Sequence, residues 1–191
     1  LGDVYKRQQF PHSGSRICTT AADTRELGRE LGATLEAGDV VILDGPLGAG
    51  KTTFTQGVAE GLEVKGRVTS PTFVIAREHR STCGGPNLIH IDAYRLLGEG
   101  SSGDALGELD ALDLDTDLDS AVVVAEWGGG LVEQIAERYL LVQFDRDALL
   151  DTSPDTEPDT DPDAEARVIT WRTADTTHSF TCLLYTSDAA D

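Results

Sequence analysis

Apolar positions in this chain fall into short runs broken by polar, glycine-bearing turns. Leu27, Leu31 and Leu35 recur every four residues through "TRELGRELGATLEAG", which predicts a helix with one buried face behind a short strand at "RIC". Thr20 or Asp23 can cap that helix, and Gly38 is expected to end it. "DVVILDG" is a continuous β-branched run, the pattern of a parallel strand buried on both faces, and "AVVVAEW" is a second one. "TTFTQGVAEGL" predicts a helix to about Leu62. "GRVTSPTFVIAREHR" and "NLIHIDAYRL" predict two strands around a "CGGP" turn. "GGGLVEQIAER" reads as a short helix, and "YLLVQFD" with "ARVITWR" as a terminal hairpin.

Between the first buried strand and the helix that follows it lies "GPLGAGKT", which fits G-x-x-x-x-G-K-[ST] in the required strand–loop–helix context. Its glycines let backbone N–H groups converge on phosphate oxygens, and the helix N-terminus adds partial positive charge. The cradle is expected to run over Gly45, Leu47, Gly48, Ala49, Gly50, Lys51, Thr52 and Thr53. Lys51 would reach the β and γ phosphates of a nucleotide, and the Thr52 hydroxyl would ligate Mg²⁺. The fold class that follows is α/β and P-loop NTPase-like: a mostly parallel central sheet flanked by helices, with a C-terminal β-hairpin.

Such a site needs an acid near the metal, usually at the end of another buried strand. Glu126 closes "AVVVAE" at the sheet edge where α/β proteins bind ligands. Asp92, in "LIHIDAYR", could orient or activate water, and by strand alternation His90 should face the same side. His90 is read either as a packed, hydrogen-bonded histidine or as a catalytic one. Tyr94 and Arg95 are read as structural. Ser70 and Thr72, bracketing Pro71, form either a phosphate-sensing loop or a plain start to a strand. Trp127 either stacks on the base or packs.

Charge changes this picture little. The net charge of -19 argues against direct nucleic-acid binding, but it is concentrated. Asp104–Asp119 holds seven acids and no base, and Asp145–Glu165 nine acids and one arginine. The first is expected to be a short surface helix and turn. The second, within 145–166, is expected to be a disordered acidic loop joining the last two strands.

The two ends call for separate treatment. "DVYKRQ" back-translates to a DNA sequence whose reverse complement, read one base along, encodes "CLLYTS". These ends resemble the mosaic-end adapters of transposase-based sequencing libraries. Residues 1–8 and 182–191 are therefore expected to be adapter-encoded, leaving a single P-loop ATPase domain over 9–181. The chain contains no methionine, and the remainder is expected to be a fragment. Outside the adapter stretch only Cys18 and Cys83 remain, with no C-x-x-C pair, so reduced thiols without zinc are expected. No run approaches the ~18 apolar residues of a membrane span. A cytoplasmic protein with no membrane partner is the expectation.

"GPLGAGKTTFTQG", "VTSPTFVI", "HIDAYRL" and "VVAEWG", in this order, resemble the TsaE family of bacterial ATPases, and the match runs from about Ile17 to Arg172. The high-Asp style is similar to actinobacterial members. The resemblance implies a role in making threonylcarbamoyladenosine beside the tRNA anticodon. There TsaC makes threonylcarbamoyl-AMP and a TsaD–TsaB pair transfers the group to tRNA. A TsaE protein joins that pair and resets it by ATP hydrolysis, without itself being the transferase, and meets tRNA only indirectly through the complex. By motif the resemblance implies catalytic roles for Lys51, Asp92 and Glu126, Mg²⁺ ligation by Thr52 and Glu126, and a place beside the nucleotide for Trp127. The acidic insertion before "ARVITWR" departs from compact members without touching the motifs.

Three other functions are weighed against this one. A GTPase would need N-K-x-D, which is absent, and its D-x-x-G occurs only at Asp104–Gly107. A P-loop small-molecule kinase would want an arginine-bearing lid, for which Arg77 and Arg80 are a thin basis. A nucleotide-gated binding module with slow turnover merges with the TsaE reading.

Overall fold

The computed structural model describes residues 10–69, 76–93, 120–126, 136, 138–146, 148 and 166–175. They form seven strands and two helices. The strands are β1 (Ser13–Cys18), β2 (Val40–Asp44), β3 (Ala76–His79), β4 (Asn87–Asp92), β5 (Ala121–Glu126), β6 (Arg138–Asp145) and β7 (Arg167–Asp175). The helices are α1 (Ala21–Gly32), between β1 and β2, and α2 (Lys51–Gly61), between β2 and β3. One sheet holds all seven strands in the order β1-β7-β6-β2-β5-β4-β3.

Strand alternation sorts the core into two layers. Along β2 and β5, Val41, Leu43, Val122 and Val124 join Leu27, Leu31, Phe54 and Val58 of the helices. Val40, Ile42, Val123 and Ala125 face the opposite layer with Ile89 and Ile91. Every residue of β5 is buried, as its unbroken apolar run requires.

The sheet departs from the mostly parallel expectation. β6, β2, β5 and β4 form a parallel centre, but β3, β7 and β1 all pair antiparallel, so the described sheet is mixed. Parallel neighbours need a long crossover, whereas a short turn can only return a chain antiparallel. β3 returns into β4 through the "CGGP" turn. The β6–β7 hairpin runs from Arg138↔Asp175 to Asp145↔Val168.

α1 begins with a reciprocal cap. Thr20 Oγ1 accepts the Asp23 N–H at 3.1 Å, and Asp23 Oδ2 accepts the Thr20 N–H at 2.9 Å, so both candidate caps act together. The helix stops at Gly32, short of Gly38. Gly38 instead makes the turn into β2, with φ +91° and its N–H donated to Ala121 O at 2.9 Å.

The two helices touch backbone to backbone. Gly28 and Gly32 on α1 face the backbone of Phe54 and Val58 on α2, and Gly57 and Gly61 on α2 face the backbone of Arg25 and Arg29 on α1. A methyl on Gly57 would lie 1.9 Å from Arg25 O, and one on Gly28 2.2 Å from Phe54 O. Glycine here serves close approach, and it locks the helix that follows the "GPLGAGKT" loop against its neighbour. Cys18 lies in the core and Cys83 is exposed, so only the first is a packing residue. The acidic 104–119 stretch, the "GGGLVEQIAER" segment apart from Ala136 and Arg138, and most of the 145–166 loop lie outside the described residues, and Arg138 opens β6 rather than closing a helix.

Candidate active site

The cradle is a loop that only glycine can trace. Gly45, Gly48 and Gly50 all have positive φ, and Gly50, at +101°, is the N-cap of α2 with no side-chain cap bond. A glycine N-cap puts no side chain over the start of α2, the end of a helix that carries partial positive charge. Ala49 is fully buried, so only its backbone can serve a ligand, and Leu47 projects from the loop at 87% exposure.

Lys51 is 4% exposed, and its Nζ donates to Gly45 O at 2.7 Å and Pro46 O at 2.9 Å. Burial pushes its pKa below the ordinary lysine value, and the nearby carboxylates of Glu126, Asp44 and Asp92 oppose that shift.

Glu126 organises the acidic side. Its Oε1 accepts the Thr52 hydroxyl at 3.0 Å and lies 2.9 Å from His90 Nε2, with Glu126 5% exposed and His90 fully buried. A carboxylate only accepts, so His90 donates through Nε2. Its Nδ1 has no hydrogen-bond partner among the described residues. His90 is thus packed and hydrogen-bonded to Glu126. Asp92 is the register partner of Glu126 across β4 and β5, and Ala93 N donates to Glu126 O at 2.9 Å. Leu88 belongs to the helix-side layer and Ile89 and Ile91 to the other. His90 and Asp92 thus share the helix side, as alternation predicts.

Lys51, Thr52, His90, Asp92 and Glu126 are in this way brought to the C-terminal edge of the parallel strands. Gln56, one turn along α2, donates to Val68 O at 3.0 Å and ties the helix to the start of the "VTSPTF" segment. Ser70, Pro71, Thr72, Tyr94, Arg95 and Trp127 lie outside the described residues.

A hydroxyl and a carboxylate within hydrogen-bond distance are hard oxygen donors of the kind Mg²⁺ takes alongside water and phosphate. Among the described residues no cluster of three or more His, Cys, Asp or Glu offers an alternative metal site.

One site residue had no signal in the sequence. Arg167, the first residue of β7, is 5% exposed and donates from Nη1 to Ala49 O at 3.1 Å. It reaches the loop from 118 positions away, so no local motif announces it.

The family described as "Threonylcarbamoyl adenosine biosynthesis protein TsaE" matches residues 18–152. The chain belongs to the TsaE family. The TsaE protein of Mycobacterium tuberculosis is 52% identical over 140 residues, covering 73% of this chain and 83% of that protein. The TsaE protein of Streptomyces coelicolor is 50% identical over 151 residues, covering 79% and 95%. The crystal structure of Bacillus subtilis YdiB superposes with a TM-score of 0.59 at 28% identity, covering 86% of this chain and 87% of the other. The similarity to actinobacterial TsaE proteins matches the expectation from the acidic composition.

Proposed function

We propose that this chain is the ATP-hydrolysing subunit of tRNA threonylcarbamoyladenosine synthesis, with a P-loop NTPase fold, acting in the cytoplasm on a TsaD–TsaB complex. The observation that carries the proposal is the convergence of Lys51, Thr52 and Glu126 at one loop in a chain of the TsaE family. Family membership supplies the pathway, and the site supplies the chemistry.

Backbone N–H groups from Gly45 to Thr53 and the Lys51 ammonium would hold the triphosphate. Thr52 and Glu126 would hold Mg²⁺, which when bound neutralises charge developing on the phosphates. His90 keeps Glu126 aimed at Thr52. Asp92, beside Glu126 in register, would orient water at the γ-phosphate. Trp127, next in sequence to Glu126, would lie beside the nucleotide. No phosphoryl acceptor other than water is needed, because the product of the cycle is a conformational reset of the partner. tRNA would be met only through that complex. Among the described residues no helix is long and apolar enough to cross a membrane.

The test is ATP hydrolysis with and without a TsaD–TsaB pair, using Lys51→Ala as control. Stimulation of about tenfold or more that vanishes in Lys51→Ala is the expected outcome. Partner-independent turnover would point instead to a P-loop small-molecule kinase.

A further inference from the structure

Arg167 lies beneath the phosphate cradle, and nothing in the proposed ATP chemistry yet uses it. Its guanidinium is buried, bonded to Ala49 O, and packed so closely under Gly50 that a methyl there would fall 2.2 Å from Nη1. Thr24 of α1 flanks the same spot, 3.6 Å from that methyl position. The loop and the arginine therefore form one packed unit.

The geometry has a directional consequence. No described peptide bond is cis, and in a trans peptide the C=O and the following N–H point opposite ways. Pulling Ala49 O inward onto Arg167 turns the Gly50 N–H outward, toward the mouth of the cradle. Gly50 has no side chain to resist rotation of that peptide and holds φ at +101°, so an external clamp is what fixes it. We infer that Arg167 is a positioning residue of the nucleotide site: it holds the Ala49–Gly50 peptide so that the Gly50 N–H faces a phosphate, while its buried positive charge lies behind the same peptide. The inference rests on the ATP-binding reading of the cradle and deepens it. It also gives the last strand a part in the site, since Arg167 is the first residue of β7.

The experiment measures ADP affinity by titration calorimetry on the full chain, with thermal unfolding recorded on the same samples. Arg167→Met is expected to weaken ADP binding about tenfold or more while folded, because one preorganised donor is lost. Arg167→Lys is expected to restore part of the affinity and to remain about threefold weaker than wild type, since an ammonium lacks the planar fork. Arg172→Met, an exposed arginine on the same strand, should bind as wild type does. A purely structural role would lower the unfolding temperature and leave affinity alone. Folded Arg167→Met with wild-type affinity overturns the inference and leaves the ATP-binding reading standing. Failure of the wild type itself to bind ADP overturns both. If Arg167→Met does not fold, Arg167→Lys decides: weakened binding supports the inference, and wild-type affinity overturns it.

Discussion

Replacing Gly57 with alanine should destabilise the protein by about 3 kcal/mol or more, the upper range for forcing atoms into a packed interior. Alanine normally improves a helix over glycine by roughly 1 kcal/mol, so the expected sign is opposite to propensity. The cause is the 1.9 Å approach of the added methyl to Arg25 O, with Arg29 N at 2.9 Å, both backbone atoms of α1 that cannot rotate away. Separation of the helices would also displace α2, whose first residues are Lys51 and Thr52. Urea unfolding of Gly57→Ala beside wild type checks this. A neutral or stabilising result would show that the two helices slide apart easily and that the glycine contacts do not hold the motif in place.

Glu126→Gln should keep the fold and lose the chemistry. The glutamine carbonyl can still accept from Thr52 and from His90, so the hydrogen bonds at 3.0 and 2.9 Å survive and the core is undisturbed. What disappears is the negative charge opposite Lys51 and the ability to hold a divalent cation. ATP turnover is expected to fall about a hundredfold or more, the scale seen when one preorganised charge-stabilising group is removed. Nucleotide affinity should change much less, within about fivefold, because Lys51 and the backbone cradle are intact. Steady-state turnover and ADP titration on one preparation separate the two effects. Turnover within about threefold of wild type would remove Glu126 from the active site.

Local pattern carried the sequence reading far where the physics is local. β2 and β5 are continuous apolar runs because both of their faces are covered, and that signal needs no knowledge of neighbours. The cradle is legible because strand, glycine loop and helix are consecutive in the chain. Glu126 could be singled out by its place at a strand end, although it meets Thr52 from 74 residues away. The parallel share of the sheet is smaller than expected because apolar runs identify central strands, whereas the direction of β1, β3 and β7 is set by pairing at the edges, which no local run announces. The helix glycines gave no warning: Gly28, Gly32, Gly57 and Gly61 resemble weak points in helices until the facing backbone is known. The hydrogen bond between His90 and Glu126 joins residues 36 apart, which only the β4–β5 pairing brings together. Arg167 depends on a strand that returns after a long acidic excursion, so its contact with Ala49 is a product of topology alone.

The most direct test of the account is to count threonylcarbamoyladenosine formed per TsaD–TsaB complex with excess tRNA and threonylcarbamoyl-AMP. The account predicts on the order of one modification per complex without this chain, and continued turnover when the chain and ATP are added. Lys51→Ala should leave the count where it was without the chain. Many turnovers in the absence of this protein, or equal turnover with Lys51→Ala, would contradict a resetting ATPase.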